Sequence, residues 1–177
     1  RLTLRIDENI KLNLNAVYHF TCEPIEFKEK MQLLVLGVES IEKKELSTGE
    51  RQELMASFYS FAPVSADETQ AIVEGYLNKI TNEIIKNIVF DFYNQYKAEF
   101  YLYPAATKFH HAYIGGLSYH TSTMLKLIDG FKVVYPFLNE ELLIAGIFLH
   151  DICKIKELSN YAGAEYTKEG KMLGHIT

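Results

Sequence analysis

The chain has 177 residues, 48% hydrophobic and 23% charged, which suffices for one good core or for a domain plus part of another. A net charge of −5 does not advertise nucleic-acid binding, although a basic face can exist locally and a bound metal adds positive charge. There is no apolar run near the roughly 20 residues of a membrane span and no signal-peptide pattern. With Cys22 and Cys153 in unrelated contexts, a reducing, cytoplasmic setting without membrane association is expected.

Residues 1–46 read as strands. Leu2, Leu4 and Ile6 alternate with Arg1, Thr3 and Arg5, the period of a half-buried strand. Ala16–Cys22 is β-branched and aromatic and is predicted to stop at Glu23-Pro24. Met31–Val38 is an almost continuous apolar strand, and His19 reads as a plain strand histidine. Such strands fit the latter part of an OB-type β-barrel, a fold that often binds oligonucleotides. Residues 47–64 read as a linker, with turn chemistry at Ser47-Thr48-Gly49-Glu50 and an aromatic stretch, Ser57–Pro63, whose rings are expected to pack.

From residue 65 the period becomes helical. Ser65 with Glu68 has capping-box spacing, and Ile72, Val73, Tyr76, Leu77 and Ile80 follow on one stripe. After Thr81-Asn82, a second helix carries Ile84, Ile85, Ile88, Val89, Phe92, Tyr93 and Tyr96 as a predicted core stripe, ending before Pro104. A third helix is predicted through much of Lys108–Thr121 and on to about Val134, with His120 facing inward between Leu117 and Met124. Asn139 is a plausible cap for the apolar run Leu142–Leu149, which leads into His150-Asp151. Thr167 is expected to cap a last helix carrying His175, which the spacing from Met172 turns toward the apolar side.

A helix apolar on every side is normally buried, and a buried imidazole-carboxylate pair needs a compensating partner. A divalent metal would satisfy both groups. His120, His150 and His175 come from separate helices and face inward, with Asp151 beside the second. Each would need its own hydrogen-bond partner if it were mere packing. Mixed imidazole and carboxylate donors suit Mn²⁺, Fe²⁺ or Zn²⁺, as one ion or as two bridged by Asp151. Such a site activates water for attack at phosphorus. Lys154, one turn further on, is placed either to touch a phosphate oxygen or to sit solvated at a helix C-terminus.

His120, His150-Asp151 and Lys154, in that spacing, resemble the HD superfamily of metal-dependent phosphohydrolases. The run Phe109-His110-His111-Ala112-Tyr113-Ile114-Gly115-Gly116-Leu117, His120-Thr121, Ala145-Gly146, Leu149–Ile152, Tyr166–Gly170 and Gly174-His175-Ile176 is similar to the YhaM-type 3′–5′ exoribonucleases, which join an OB domain to an HD domain. The resemblance implies His120, His150 and Asp151 as metal ligands and His175 for a second metal. It implies His111 and Lys154 at the substrate phosphate, with Asp151 and Lys154 in catalysis. It also implies manganese-favoured hydrolysis of RNA from the 3′ end to nucleoside monophosphates. Cys153 stands where a glycine is common, Ser118-Tyr119 replaces the usual Leu-Glu, and the family's later ligands have no counterpart here.

The expectation is therefore an α+β chain, a piece of a longer protein. It would comprise a partial OB-type barrel (1–46), a linker (47–64) and a truncated, all-α HD-domain bundle (65–177). RNA is the expected partner; single-stranded DNA and a homo-oligomer stay open. The other readings are an HD phosphohydrolase acting on nucleotides or cyclic dinucleotides, and a non-catalytic OB-type nucleic-acid-binding protein.

Overall fold

A computed structural model of the chain describes residues 3–13, 16–41 and 54–174. The expected turn at Ser47–Glu50, the Leu2 end of the first alternation and His175 lie outside these residues. The chain is mixed α+β and forms two compact units, Arg1–Phe58 and Tyr59–Thr177. Among the described residues, no helix is long and apolar enough to cross a membrane.

The first unit holds a three-stranded sheet of β1 (Leu4–Arg5), β2 (Tyr18–Phe27) and β3 (Lys30–Ser40), in the order β1-β3-β2. The apolar β3 is central, antiparallel to β2 and parallel to the two-residue β1. Leu4 is exposed, so the first alternation does not form the half-buried strand expected of it. Tyr18, Phe20 and Cys22 are half-buried while His19, Thr21 and Glu23 face solvent, the alternation of a strand with one covered face.

β2 does not stop at Glu23-Pro24 as its sequence suggested; it runs on to Phe27, with Pro24 opposite Leu33. Proline cannot donate to a ladder, but among the described strands β2 lies at the edge of the sheet, the place where a strand tolerates proline. The hairpin closes through Lys28 and Glu29, both at positive φ (52° and 60°), the two-residue turn whose twist matches the strands. Neither residue is the Gly, Asn or Asp that usually advertises such a turn.

The second unit is helical: α1 (Ala66–Leu77), α2 (Glu83–Phe100), α3 (Gly116–Val134), α4 (Glu140–Leu149), α5 (Lys154–Glu157) and α6 (Lys168–Leu173). The predicted caps are in place. Ser65 Oγ accepts from Glu68 N (3.2 Å), Asn139 Oδ1 from Leu142 N (3.1 Å) and Thr167 Oγ1 from Gly170 N (2.8 Å). Asn82 Oδ1 caps α2 by accepting from Ile84 N and Ile85 N, both at 3.1 Å.

α1 packs on α3, and α4 packs on α2 and α3. Their shared core is fully buried at Val73, Leu77, Val89, Phe100, Leu117, Leu125, Ile128, Ile144 and Phe148. Phe148 meets Phe100 and Tyr93 edge-on at centroid distances of 5.4 and 5.9 Å. Backbone pairing also ties the aromatic segment to this unit: Ala62 N donates to Ile114 O (2.9 Å) and Ile114 N to Ser60 O (3.0 Å). Phe58 and Phe61 themselves are exposed, contrary to the expectation that these rings pack.

Three further expectations change. The α2 stripe divides: Val89, Tyr93 and Phe100 are buried, whereas Ile84, Ile88 and Phe92, each four apart, form an exposed line. A stripe that wide exceeds the arc a single packed neighbour covers. α4 is not buried all round, because Leu142 and Gly146 face outward while Ile144, Ala145 and Phe148 face the core. Finally, α6 ends at Leu173, where Gly174 takes φ 71°, and Met172 is 74% exposed. The helix therefore ends before residue 175, Met172 does not face the apolar side, and the expectation for His175 itself lies outside the described residues.

Candidate metal centre

His120 lies one turn into α3, and His150 and Asp151 follow the last residue of α4. Packing of α3 against α4 brings these residues, thirty apart in sequence, to one point. A donor atom from each of His120, His150 and Asp151 lies within 4.8 Å of the other two. Asp151 Oδ2 is 3.4 Å from His150 Nε2 and 3.7 Å from His120 Nε2. Two donors each about 2.1 Å from one ion and about 110° apart are separated by roughly 3.4 Å, so these spacings fit a shared cation.

The electrostatics agree with that donor set. His150 Nδ1 lies 2.7 Å from the Ile147 carbonyl, which makes Nδ1 the protonated nitrogen and leaves Nε2 as the lone-pair donor. Burial holds the His120 imidazole below its ordinary range despite the facing Asp151 carboxylate, with neighbouring histidines adding to the effect. Burial also lowers His111, helped by His110 beside it. Before a cation is bound, the Asp151 carboxylate pushes His150 the other way, upward, and the Ile147 carbonyl adds to this while burial opposes it. Two imidazoles, which coordinate in their neutral form, and a buried carboxylate suit a borderline divalent cation such as Mn²⁺, Fe²⁺ or Zn²⁺, whose binding would compete with the proton that Asp151 favours on His150.

Lys154 is not a solvated lysine at a helix C-terminus. It opens α5, and its side chain is only 15% exposed, with Nζ 3.8 Å from Asp151 Oδ1 and 3.8 Å from Glu157 Oε2. Glu157, buried and missed by the sequence reading, flanks the lysine from one turn further along α5. Its i+3 spacing from Lys154 was the available signal. α6 closes over this turn: Thr167 N donates to Glu157 O (2.9 Å), and a Cβ on Gly170 would fall 2.3 Å from that same oxygen.

His111 also reaches the site, although not from a helix. α3 begins only at Gly116, and the segment before it is a loop with positive φ at Phe109 (69°), His111 (58°) and Gly115 (76°). The reason is steric. His111 O, which accepts from Ala105 N (3.0 Å), lies 2.1 Å from where a Cβ on Gly116 would stand. The loop sets the His111 ring 5.1 Å from His120, itself 5.6 Å from His150, and Tyr113 OH lies 2.8 Å from His111 Nδ1. Tyr113 is the second residue the sequence reading missed. His175, proposed for a second metal, is outside the described residues.

No family model matches the chain, and no solved structure matches it. It is 37% identical over 170 residues, 96% of its length, to a protein of Oceanobacillus iheyensis named 3′–5′ exoribonuclease YhaM, of which it covers 52%. A protein of the same name from Halalkalibacterium halodurans is 33% identical over 92% of the chain, matched over 49% of that protein. The Bacillus subtilis protein of that name is 41% identical over 68% of the chain and 38% of itself. Across nearly all of its sequence the chain is thus a relative of the YhaM exoribonucleases, and it spans about half the length of the relatives it matches so fully.

Proposed function

We propose that the chain is part of a metal-dependent 3′–5′ exoribonuclease that hydrolyses RNA phosphodiester bonds to nucleoside monophosphates. One observation carries the reading: the His120, His150 and Asp151 donors converge within 4.8 Å in a chain whose relatives bear that name. In this reading residues 1–46 are part of an OB-type nucleic-acid-binding domain, 47–64 a linker and 65–177 the first part of an HD domain. The protein acts in the cytoplasm.

His120, His150 and Asp151 would hold a divalent cation, Mn²⁺ by the family resemblance, with His175 serving a second ion. The chemistry such a cation would supply is activation of water and neutralisation of charge on the phosphate. The chain's own groups do the rest. The Ile147 carbonyl fixes the His150 ring, so its Nε2 needs no reorientation to bind. Lys154, held between Asp151 and Glu157, offers a desolvated positive charge to a phosphate oxygen, where a charge-assisted contact is stronger than in water. His111, kept neutral by burial, can donate or accept a hydrogen bond at the same phosphate.

The test is the intact protein on 5′-end-labelled RNA with added Mn²⁺, with Asp151→Ala alongside. Stepwise shortening from the 3′ end is expected, falling by orders of magnitude in the variant because the two imidazoles lose the carboxylate that would complete the cation's protein ligands. Hydrolysis of free nucleotides with the RNA left intact would overturn the reading.

A further inference from the structure

Phe109 is 94% exposed, the most exposed large apolar side chain among the described residues. Its backbone also sits at φ 69°, a region that a bulky side chain rarely occupies and that the fold must impose. Two unfavourable features thus coincide at one residue, and at 94% exposure its ring gains little burial among the described residues to offset them. The position is close to the metal donors. Phe109 lies two residues before His111 on the loop pinned by Ala105 and Gly116. From there the rings run His110–His111 (5.8 Å) and His111–His120 (5.1 Å).

The neighbours indicate what would cover the ring. Lys108 and His110 on either side are exposed and polar, so along the chain Phe109 is an exposed aromatic flanked by a cation and an imidazole rather than by further apolar residues. That pairing suits a nucleotide, whose base stacks on a ring while its phosphate meets positive charge.

Resting on the exoribonuclease reading above, we propose that Phe109 is the stacking platform for a nucleobase at the 3′ end of the RNA, beside the phosphate to be cleaved. Stacking tolerates any base, as an enzyme that shortens RNA of varied sequence requires.

The experiment compares the intact Mn²⁺-loaded protein with Phe109→Ala and Phe109→Tyr. Two RNAs are used, alike except that one has abasic 3′-terminal nucleotides. On ordinary RNA, Phe109→Ala raises KM roughly tenfold, the effect of losing one base–aromatic stack, with kcat almost unchanged. Phe109→Tyr keeps the wild-type KM. On the abasic RNA, wild type and Phe109→Ala behave alike. An unchanged KM for Phe109→Ala on ordinary RNA, or the same rise on abasic RNA, overturns the proposal. Equilibrium binding of both RNAs, without turnover, reads the same contrast. A wild type that binds but does not shorten RNA therefore sinks the exoribonuclease reading, while the binding contrast still decides for or against Phe109.

Discussion

The helical unit and the sheet unit treat similar apolar residues in opposite ways. Phe100, Leu117, Leu125, Ile128, Ile144 and Phe148 are fully buried between α-helices. In β2 and β3 only Val35 is buried, and Leu36 and Met31 on the same strand are exposed. A helix stripe finds a facing stripe on the next helix, whereas the described strands leave most of their apolar side chains half-buried or exposed. The candidate metal donors His120, His150 and Asp151 lie in the densely packed unit. A centre that needs its ligands held to a fraction of an ångström requires side chains whose positions are fixed by packing.

The sharpest break of that comparison is a matched pair of truncations. Phe148→Ala removes a ring wedged between Phe100 and Tyr93 and should lower stability by about 3–5 kcal/mol. Leu36→Ala, at an exposed position of β3, should stay within about 0.5 kcal/mol. Denaturant unfolding measures both, and similar losses would remove the distinction between the units.

A smaller effect sharpens it within the helical unit. Gly116→Ala drives a methyl group into the His111 carbonyl and should cost about 1–3 kcal/mol. Gly130→Ala, in the same helix but with open space around it, should instead stabilise by about 0.5–1 kcal/mol. Equal responses in thermal melts would mean that the His111 loop is not pinned by Gly116.

The smallest effect concerns charge. Glu74 is held below the ordinary carboxylate range by the Lys97 ammonium (2.8 Å) and the Tyr93 hydroxyl (2.7 Å). A depressed folded pKa gives stability that is present above the unfolded value and lost as pH falls through the folded one. Thermal melts should therefore fall below about pH 4.5, and Glu74→Gln should flatten that slope. The half-exposed ion pair limits the effect to no more than about 1 kcal/mol. An unaltered slope in the variant would assign the acid sensitivity elsewhere.

Much of the helical unit is legible one turn at a time. Ser65, Asn139 and Thr167 cap the helices their spacing announces, because a cap is a contact between residues two or three apart. The His150-Asp151 pair at the end of an apolar run also stands out, since burying such groups requires compensation. The strands are read less well. Pro24 suggests a stop that an edge position makes unnecessary, and Lys28-Glu29 closes a hairpin without its usual residues.

By itself the sequence determined the starts of α1, α2, α4 and α6, the order of strands before helices, and the residues that pair imidazole with carboxylate. Only the tertiary structure decided that His120 reaches Asp151 across thirty residues, that His111 arrives on a strained loop, and that Lys154 is enclosed by Asp151 and Glu157. Caps and periodicity are set by neighbours along the chain. The convergence of donors is set by how α3 packs against α4 and by the missing side chain at Gly116, and neither is a property of any single stretch of sequence.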